Sequence, residues 1–338
     1  MQKPAYRRSV YIVLCAEEGV MNLIITDFTT DHIETATFLV RQNYEQERSF
    51  VPALPPVDTL PDLKPYAENG LGVAAFEDDA MVGFLCSVPP FKNAFGSTVA
   101  TGVFSPMGAN GAIGENRAKV YARLYQAAGE KWVHAGVSSH AVCLYAHDRE
   151  AQEQFFRYGF GLRCVDAIRG IDEITAPTCE GYSFSELASE DVLKVLPLEK
   201  MLDDGYIDSP FFMYREQNNE SAFLKEYERF QSIYFIASQE GRIVAFIRAE
   251  LDGETFIQET PGYLHIKGAY CLPEHRGKGL NQKLLCMLTQ KLKMKGYSRL
   301  GVDFESINPM AWGFWHKYFD AYTHSVVRRI DEKAVMSI

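Results

Sequence analysis

Tyr270-Cys-Leu-Pro-Glu-His-Arg-Gly-Lys-Gly-Leu280, running on into Asn281-Gln-Lys-Leu-Leu-Cys-Met-Leu288, decides how this chain is read. The apolar residues 270–272 predict the end of a strand, and Pro273, with no N–H to donate, stops it. Apolar residues at 280, 284, 285, 288 and 292 fall on one face of a helix. Lys291, Lys293, Lys295 and Gly296 supply the cations and the glycine that suit a helix C-terminus. Between strand and helix stands Arg276-Gly-Lys-Gly279. A strand, a glycine turn and a helix N-terminus together make an anion site. The glycines admit backbone N–H groups close to a phosphate, and the helix dipole with Arg276 or Lys278 adds positive charge. The stretch lacks the Gly-Lys-Ser/Thr ending of a P-loop and the Gly-x-Gly-x-x-Gly of a dinucleotide fold, so neither of those sites is read here.

These residues resemble the acetyl-CoA signature of the GCN5-related N-acetyltransferases, Arg/Gln-x-x-Gly-x-Gly/Ala, in the context Pro-Glu-x-Arg-Gly-x-Gly. Five of the six positions agree, and the sixth is Asn281 where the family has Gly or Ala. The asparagine either crowds a phosphate or caps the helix. The resemblance implies that Arg276, Gly277, Lys278, Gly279, Leu280 and Asn281 hold the pyrophosphate of acetyl-CoA. It also implies that strand residues Cys271 and Leu272 lie along the pantetheine. Asn308-Pro-Met-Ala311-Trp-Gly-Phe314-Trp315-His-Lys317 is similar to a second family pattern, Asn-x-x-Ala-x-x-Phe/Leu-Tyr-x-Lys, which adds Asn308 and Trp315 as cofactor contacts. In the family that tyrosine is often the proton donor to the departing thiolate. Here its place holds Trp315, whose indole N–H is far too weak an acid.

Outward from this stretch, the chain has the composition of an ordinary globular protein of 338 residues, 47% hydrophobic and 23% charged, long enough for about two domains. A net charge of −10 argues against a nucleic-acid partner, whose binding needs a basic face. The seven cysteines show neither a Cys-x-x-Cys pair nor zinc spacing, which fits reduced thiols in a cytoplasmic protein with no metal site. No stretch reaches the roughly 18–20 apolar residues of a membrane span. Residues 1–20 stand apart: 10–16 are apolar, but Glu17-Glu18-Gly19 follow without a small-residue cleavage site. The codons for that acidic triplet suit a translated ribosome-binding site. The reading therefore sets 1–20 aside as a leader outside the native fold, with the natural start at Met21.

From there two similar runs follow. The first predicts a strand at 23–25, a helix carrying Ile33, Ala36, Phe38 and Val40, strands at 71–76, 81–88 and 99–104, a helix at 115–128, a strand at 141–145, a helix at 150–157 and a strand ending at 169. The second predicts strands at 182–186, 233–238 and 243–250, helices at 192–202 and 221–230, then the opening motif, a strand at 300–304, a helix at 309–319 and a last strand at 325–330. A displacement of 159 residues sets Phe155 on Phe314, Phe160 on Phe319, Arg169 on Arg328 and Ile171-Asp-Glu173 on Ile330-Asp-Glu332, without a gap. The expected fold is therefore α/β (α+β): two tandem domains similar to the acetyltransferase family, each a mixed, mostly antiparallel sheet flanked by helices. They span 21–175 and 180–338. The first is a degenerate copy, because 105–114 has glycines but no Arg or Lys, and Glu115 brings a carboxylate to the helix start.

The implied reaction is attack of an amine on the acetyl thioester, which needs a base for the ammonium proton and a donor for the thiolate. Asp303 and Glu305 alternate with Phe304 and share one face of their strand. Glu305, at the strand end where the family places its acceptor, is the candidate base; an ion pair with Arg299 or Lys317 is the structural alternative. Tyr318, one turn beyond Trp315, is the candidate donor, with His265 and Tyr270 as further candidates. Two functions follow. One is an acetyl-CoA-dependent N-acetyltransferase acting on a small-molecule or peptide amine, with a homodimer as an open alternative for its assembly. The other is a non-catalytic acyl-CoA-binding protein.

Overall fold

Alternating apolar residues and well-placed turns carry the chain through its elements in close to the predicted order. The computed structural model describes residues 23–251, 253 and 255–337; the leader at 1–20 lies outside the described residues. In chain order come β1 (Ile24–Asp27), α1 (Ile33–Phe50), α2 (Lys64–Glu68), β2 (Val73–Glu77), β3 (Ala80–Leu85), β4 (Phe91–Lys92), β5 (Thr101–Ser105), β6 (Asn110–Ala112), α3 (Arg117–His134), β7 (Ser139–Tyr145), α4 (Arg149–Arg157) and β8 (Gly161–Gly170). Next are β9 (Ser183–Glu186), α5 (Leu196–Asp204), α6 (Glu220–Arg229), β10 (Ile233–Gln239), β11 (Arg242–Glu250), β12 (Tyr263–Cys271), α7 (Leu280–Met294), β13 (Arg299–Glu305), α8 (Pro309–Trp315), β14 (Asp320–Arg329) and α9 (Glu332–Ser337). No helix among these is long and apolar enough to cross a membrane.

Contacts divide the chain into two compact units. Among the described residues, unit 1 comprises 23–50, 58–163 and 323–337; unit 2 comprises Val51–Val57 and Cys164–Tyr322. The change-over thus falls inside β8 and β14, not in the 175–180 connection that the sequence suggests. From Cys164 onward β8 pairs antiparallel with β13 of unit 2. From Thr323 onward β14 pairs antiparallel with β7 of unit 1. Displaced by 159 residues, Gly161–Gly170 coincides with Asp320–Arg329, so each copy lends its last strand to the other's sheet.

Unit 1 holds β1, β2, β3 and β6 in one antiparallel sheet, and β4, β5, β7 and β14 in another where β5 and β7 run parallel. Its core gathers Trp132, Tyr121, Tyr125, Phe155 and Phe160, with the Trp132 indole donating to the Leu71 carbonyl (3.1 Å). On α1 the buried positions are Ala36, Leu39, Val40, Asn43, Tyr44 and Glu47, a regular helical stripe. Phe38 falls off that stripe and is 59% exposed, because one residue along the helix turns a side chain by about 100°.

Unit 2 is a six-stranded run, β9-β10-β11-β12-β13-β8, antiparallel except for β12 beside β13. Helix α7 seats Leu280, Leu284, Leu285, Leu288 and Leu292 in the core, each worth roughly 2 kcal/mol when fully buried. Gly296, with φ +80°, turns the chain out of that helix. The helix expected to reach 319 stops at Trp315. There the N–H groups of Lys317 and Tyr318 tighten onto the Phe314 and Trp315 carbonyls, and β14 begins at Asp320.

Candidate functional site

Strands β12 and β13 run in parallel register only from Tyr263–Arg299 to Ile266–Val302. Beyond that point β12 stays on β11 as far as Cys271, through a bulge that takes in Lys267, while β13 stays on β8 as far as Glu305. The two strands fork. The edge of β12 that faces the fork carries main-chain groups which β13 no longer pairs. A cleft of about 550 Å³ opens there, lined by Ala269, Tyr270 and Cys271 of β12, by residues 275–277 and 279–282 around the turn, and by Asn308, Phe314, Trp315 and Tyr318 among others.

At its base, the His265 imidazole, 1% exposed, donates from Nε2 to Asp303 Oδ1 (2.7 Å). Its Nδ1 lies within hydrogen-bond reach of Tyr263 Oη (3.1 Å) and Gln258 Nε2 (3.2 Å). A side chain at Gly301 would collide with the Tyr263 hydroxyl, so this crossing of the fork requires glycine there. Lys267 Nζ adds a second cation 3.3 Å from Asp303. Burial pulls the Asp303 carboxyl up, but the bond from His265 and the charges of His265 and Lys267 outweigh it and hold the group well below the usual range.

The glycine turn lies at the cleft's other end. Gly277 (φ +75°) and Gly279 (φ +79°) both take the left-handed backbone that other residues resist. The first intrahelical bond of α7 is Lys283 N–H to the Gly279 carbonyl (3.0 Å), so the N–H groups of 280–282 point out of the helix end without an acceptor within it. Arg276 is held by Nε on the Cys271 carbonyl (3.0 Å), which fixes its guanidinium beside the strand end. Lys278, by contrast, is exposed and bonds the Tyr182 hydroxyl (3.1 Å), away from the cleft wall. Asn281 lines the cleft but does not cap the helix: Gly279 is the N-cap without a side-chain bond, and Asn281 Oδ1 is buried with no hydrogen-bond partner among the described residues. Leu272 is buried and bonds back to the Val244 carbonyl (2.9 Å), so it supports the wall from behind. Asn308 caps α8, accepting from the N–H groups of Met310 (3.1 Å) and Ala311 (3.0 Å).

Of the remaining candidates, Tyr270, Trp315 and Tyr318 line the cleft, whereas Glu305 lies beside it. Glu305, 13% exposed, has Arg215 Nη2 3.9 Å from its carboxylate. Arg299 goes instead to the Ala53 carbonyl (2.9 Å) and Ser298 Oγ (3.1 Å). Burial pushes the Tyr318 hydroxyl up, so it stays protonated at neutral pH. Burial likewise pushes the Cys271 thiol up to about 11, which keeps it from acting as a nucleophile. Tyr206, Phe211 and Gln282 also line the cleft, and sequence reasoning missed them. Only the apolar, aromatic character of 206–214 signals the first two, and it belongs to no motif.

The equivalent place in unit 1 is filled. A space of only about 10 Å³ remains among Asn43, Glu47, Arg117, Tyr145, His147 and Asp148. Arg117 at the start of α3 pairs with Asp148 (3.1 Å) and with Gln46, while the Ala118 N–H donates to Glu150 (3.3 Å). Buried Glu47 accepts from both the His147 ring (2.8 Å) and its N–H (3.3 Å). The carboxylate at this helix start is therefore Glu150, not Glu115, which precedes the helix.

Residues 200–320 match the family model of the acetyltransferase (GNAT) family. No curated protein matches the chain. Among solved structures, a GCN5-related N-acetyltransferase from Sphaerobacter thermophilus is 12% identical, with 91% of this chain and 95% of that one covered and a TM-score of 0.54. At that identity the likeness is one of fold. A tandem GNAT protein from the clavulanic acid biosynthesis pathway is 11% identical, over 91% of this chain and 98% of its own, at TM-score 0.43. A GCN5-related N-acetyltransferase from Kribbella flavida is 12% identical, over 92% and 72%, at TM-score 0.40. Over residues 200–320, then, the chain is similar to the acetyltransferase (GNAT) family.

Proposed function

We propose that unit 2 is an acetyl-CoA-dependent N-acetyltransferase, cytoplasmic, acting on the amine of a small molecule or of a peptide amino terminus. The observation that carries this reading is the fork between β12 and β13 opening directly onto the Gly277–Gly279 turn. The residues fit the cofactor. The outward N–H groups at 280–282, the two left-handed glycines and Arg276 suit a pyrophosphate, and the edge of β12 up to Cys271 suits an amide-bearing arm. When bound, acetyl-CoA supplies an activated thioester.

The chain's own residues then have separable tasks. Glu305 takes the ammonium proton, so that the amine nitrogen can form its bond to the acetyl carbon. As the carbon–sulfur bond breaks, Tyr318 donates a hydrogen bond to the departing sulfur; N–H groups on the edge of β12 polarise the carbonyl. Cys271, held as a thiol, takes no acetyl group, so transfer is direct. Unit 1 contributes no second cofactor site, its helix start being taken up by Glu150, Asp148 and Gln46.

Trp315 at the family's tyrosine position favours one alternative, a protein that binds acyl-CoA without turnover. A screen of primary amines for release of free CoA from acetyl-CoA separates the two. Turnover with at least one amine is expected; tight binding of acetyl-CoA with no turnover on any amine supports the binding protein.

A further inference from the structure

Beside the cleft, the chain seats one of its own cations in a cage. The Arg215 guanidinium carbon lies 3.8 Å from the centroid of the Tyr206 ring, and Nη2 lies 3.9 Å from Glu305 Oε1. On the last turn of α5, burial pushes the Asp203 carboxyl up, and the Arg215 charge pulls it back only in part. The Tyr206 ring lines the cleft and packs against Phe211 (5.1 Å). The loop is tied without help from Arg215: Met213 N–H donates to the Tyr206 carbonyl (2.7 Å), and Gln217 bonds Asp204 at its base. Among the described residues no hydrogen bond holds the guanidinium, which is 41% exposed. It rests on a ring face and one long ion pair, contacts that are weak and readily exchanged.

We infer that this cage is the seat of a cationic group of the acceptor, and that Arg215 is an internal competitor which the acceptor displaces. The inference rests on the acetyl-transfer reading for the identity of the ligand as acceptor, not for the existence of the cage. An aromatic face and carboxylates on one side of a cleft are what a desolvated ammonium needs: charge compensation from Glu305 and Asp203, and an apolar wall that favours a cation over its hydration shell. Burial pushes the Tyr206 hydroxyl up, and the charges of Glu305, Asp303 and Asp203 push it the same way. While Arg215 occupies the cage, only the fraction of molecules in which it has swung out binds the acceptor cation, and the apparent affinity falls by that fraction. Rotation of one exposed side chain is enough for exchange.

Tetramethylammonium, which cannot be acetylated, reads the cage independently of catalysis. Its binding, measured by NMR titration, should be about three- to ten-fold tighter to Arg215→Ala than to the wild-type chain, the gain expected from removing an exposed cation–π competitor. Arg215→Lys should stay near wild type. Adding Tyr206→Leu to Arg215→Ala should abolish the gain, with an unchanged cooperative thermal melt as the check on folding. Equal or weaker binding to Arg215→Ala overturns the inference, as does a gain that survives Tyr206→Leu. If no amine releases CoA from either protein, the acetyl-transfer reading fails, and the tetramethylammonium result still decides the cage.

Discussion

Glu305→Gln is expected to lower kcat by about 100- to 10,000-fold, the usual range for general acid–base help, while acetyl-CoA binds as in the wild type. The substitution keeps the size of the side chain and removes the anion, so a purely structural role would leave most of the rate. Cofactor affinity should persist because the glycine turn is built on β12 and α7, whereas Glu305 ends β13 and stands by Arg215. Stopped-flow or steady-state CoA release under saturating acetyl-CoA makes the measurement. Tyr318→Phe is the companion, with an equal or smaller loss expected, since the thiolate, with a pKa near the 8.5 or so of a free thiol, is already a fair leaving group. Near wild-type rates in both variants would assign proton transfer to water or to other residues. The fold and the cofactor site would stand.

Arg276→Ala combined with Gly279→Ala is expected to weaken acetyl-CoA binding by roughly 100- to 1,000-fold. The left-handed φ of +79° at 279 costs an alanine about 1–2 kcal/mol, and its methyl group would meet the Pro177 ring, which packs against this glycine. Loss of the Arg276 charge-assisted bonds adds about 1.5–3 kcal/mol, and each 1.4 kcal/mol or so is a factor of ten. Gly277 has the same backbone but open space around it, so Gly277→Ala should be milder. Calorimetry with acetyl-CoA, accompanied by thermal melts to show that unit 2 is folded, tests this. Unchanged affinity would place the pyrophosphate elsewhere.

How much of this was legible in the sequence depends on whether a residue's role is local. The leucines of α7 and the glycines of the turn act within a few positions of themselves, and helix spacing and turn chemistry name them directly. The family resemblance then joins them into one site. The exchange of β8 and β14 was not legible, because a strand's own residues do not say which sheet it enters. Phe38 and Leu39 are equally apolar, and which of them faces in is settled by a stripe that includes polar Asn43 and Glu47. Gly301 looks like a weak point in a strand until the Tyr263 and His265 side chains are seen to cross it. Arg215 could not be matched to Glu305 from a distance of ninety residues with no periodicity to link them.

The filling of unit 1 is likewise a product of distant residues. Glu150 comes from α4 and Gln46 from α1 to occupy a helix start that the sequence marks only by its lack of cations before Arg117. Unit 2 keeps the same helix start open between two left-handed glycines. The contrast makes stoichiometry the most direct test of the claim that unit 2 alone forms the cofactor cleft. Isothermal titration of the wild-type chain with acetyl-CoA should give one site per chain, and the Arg276→Ala, Gly279→Ala variant should lose that site without exposing another. Two equivalent sites in the wild type, or a single site that survives in the variant, would contradict it.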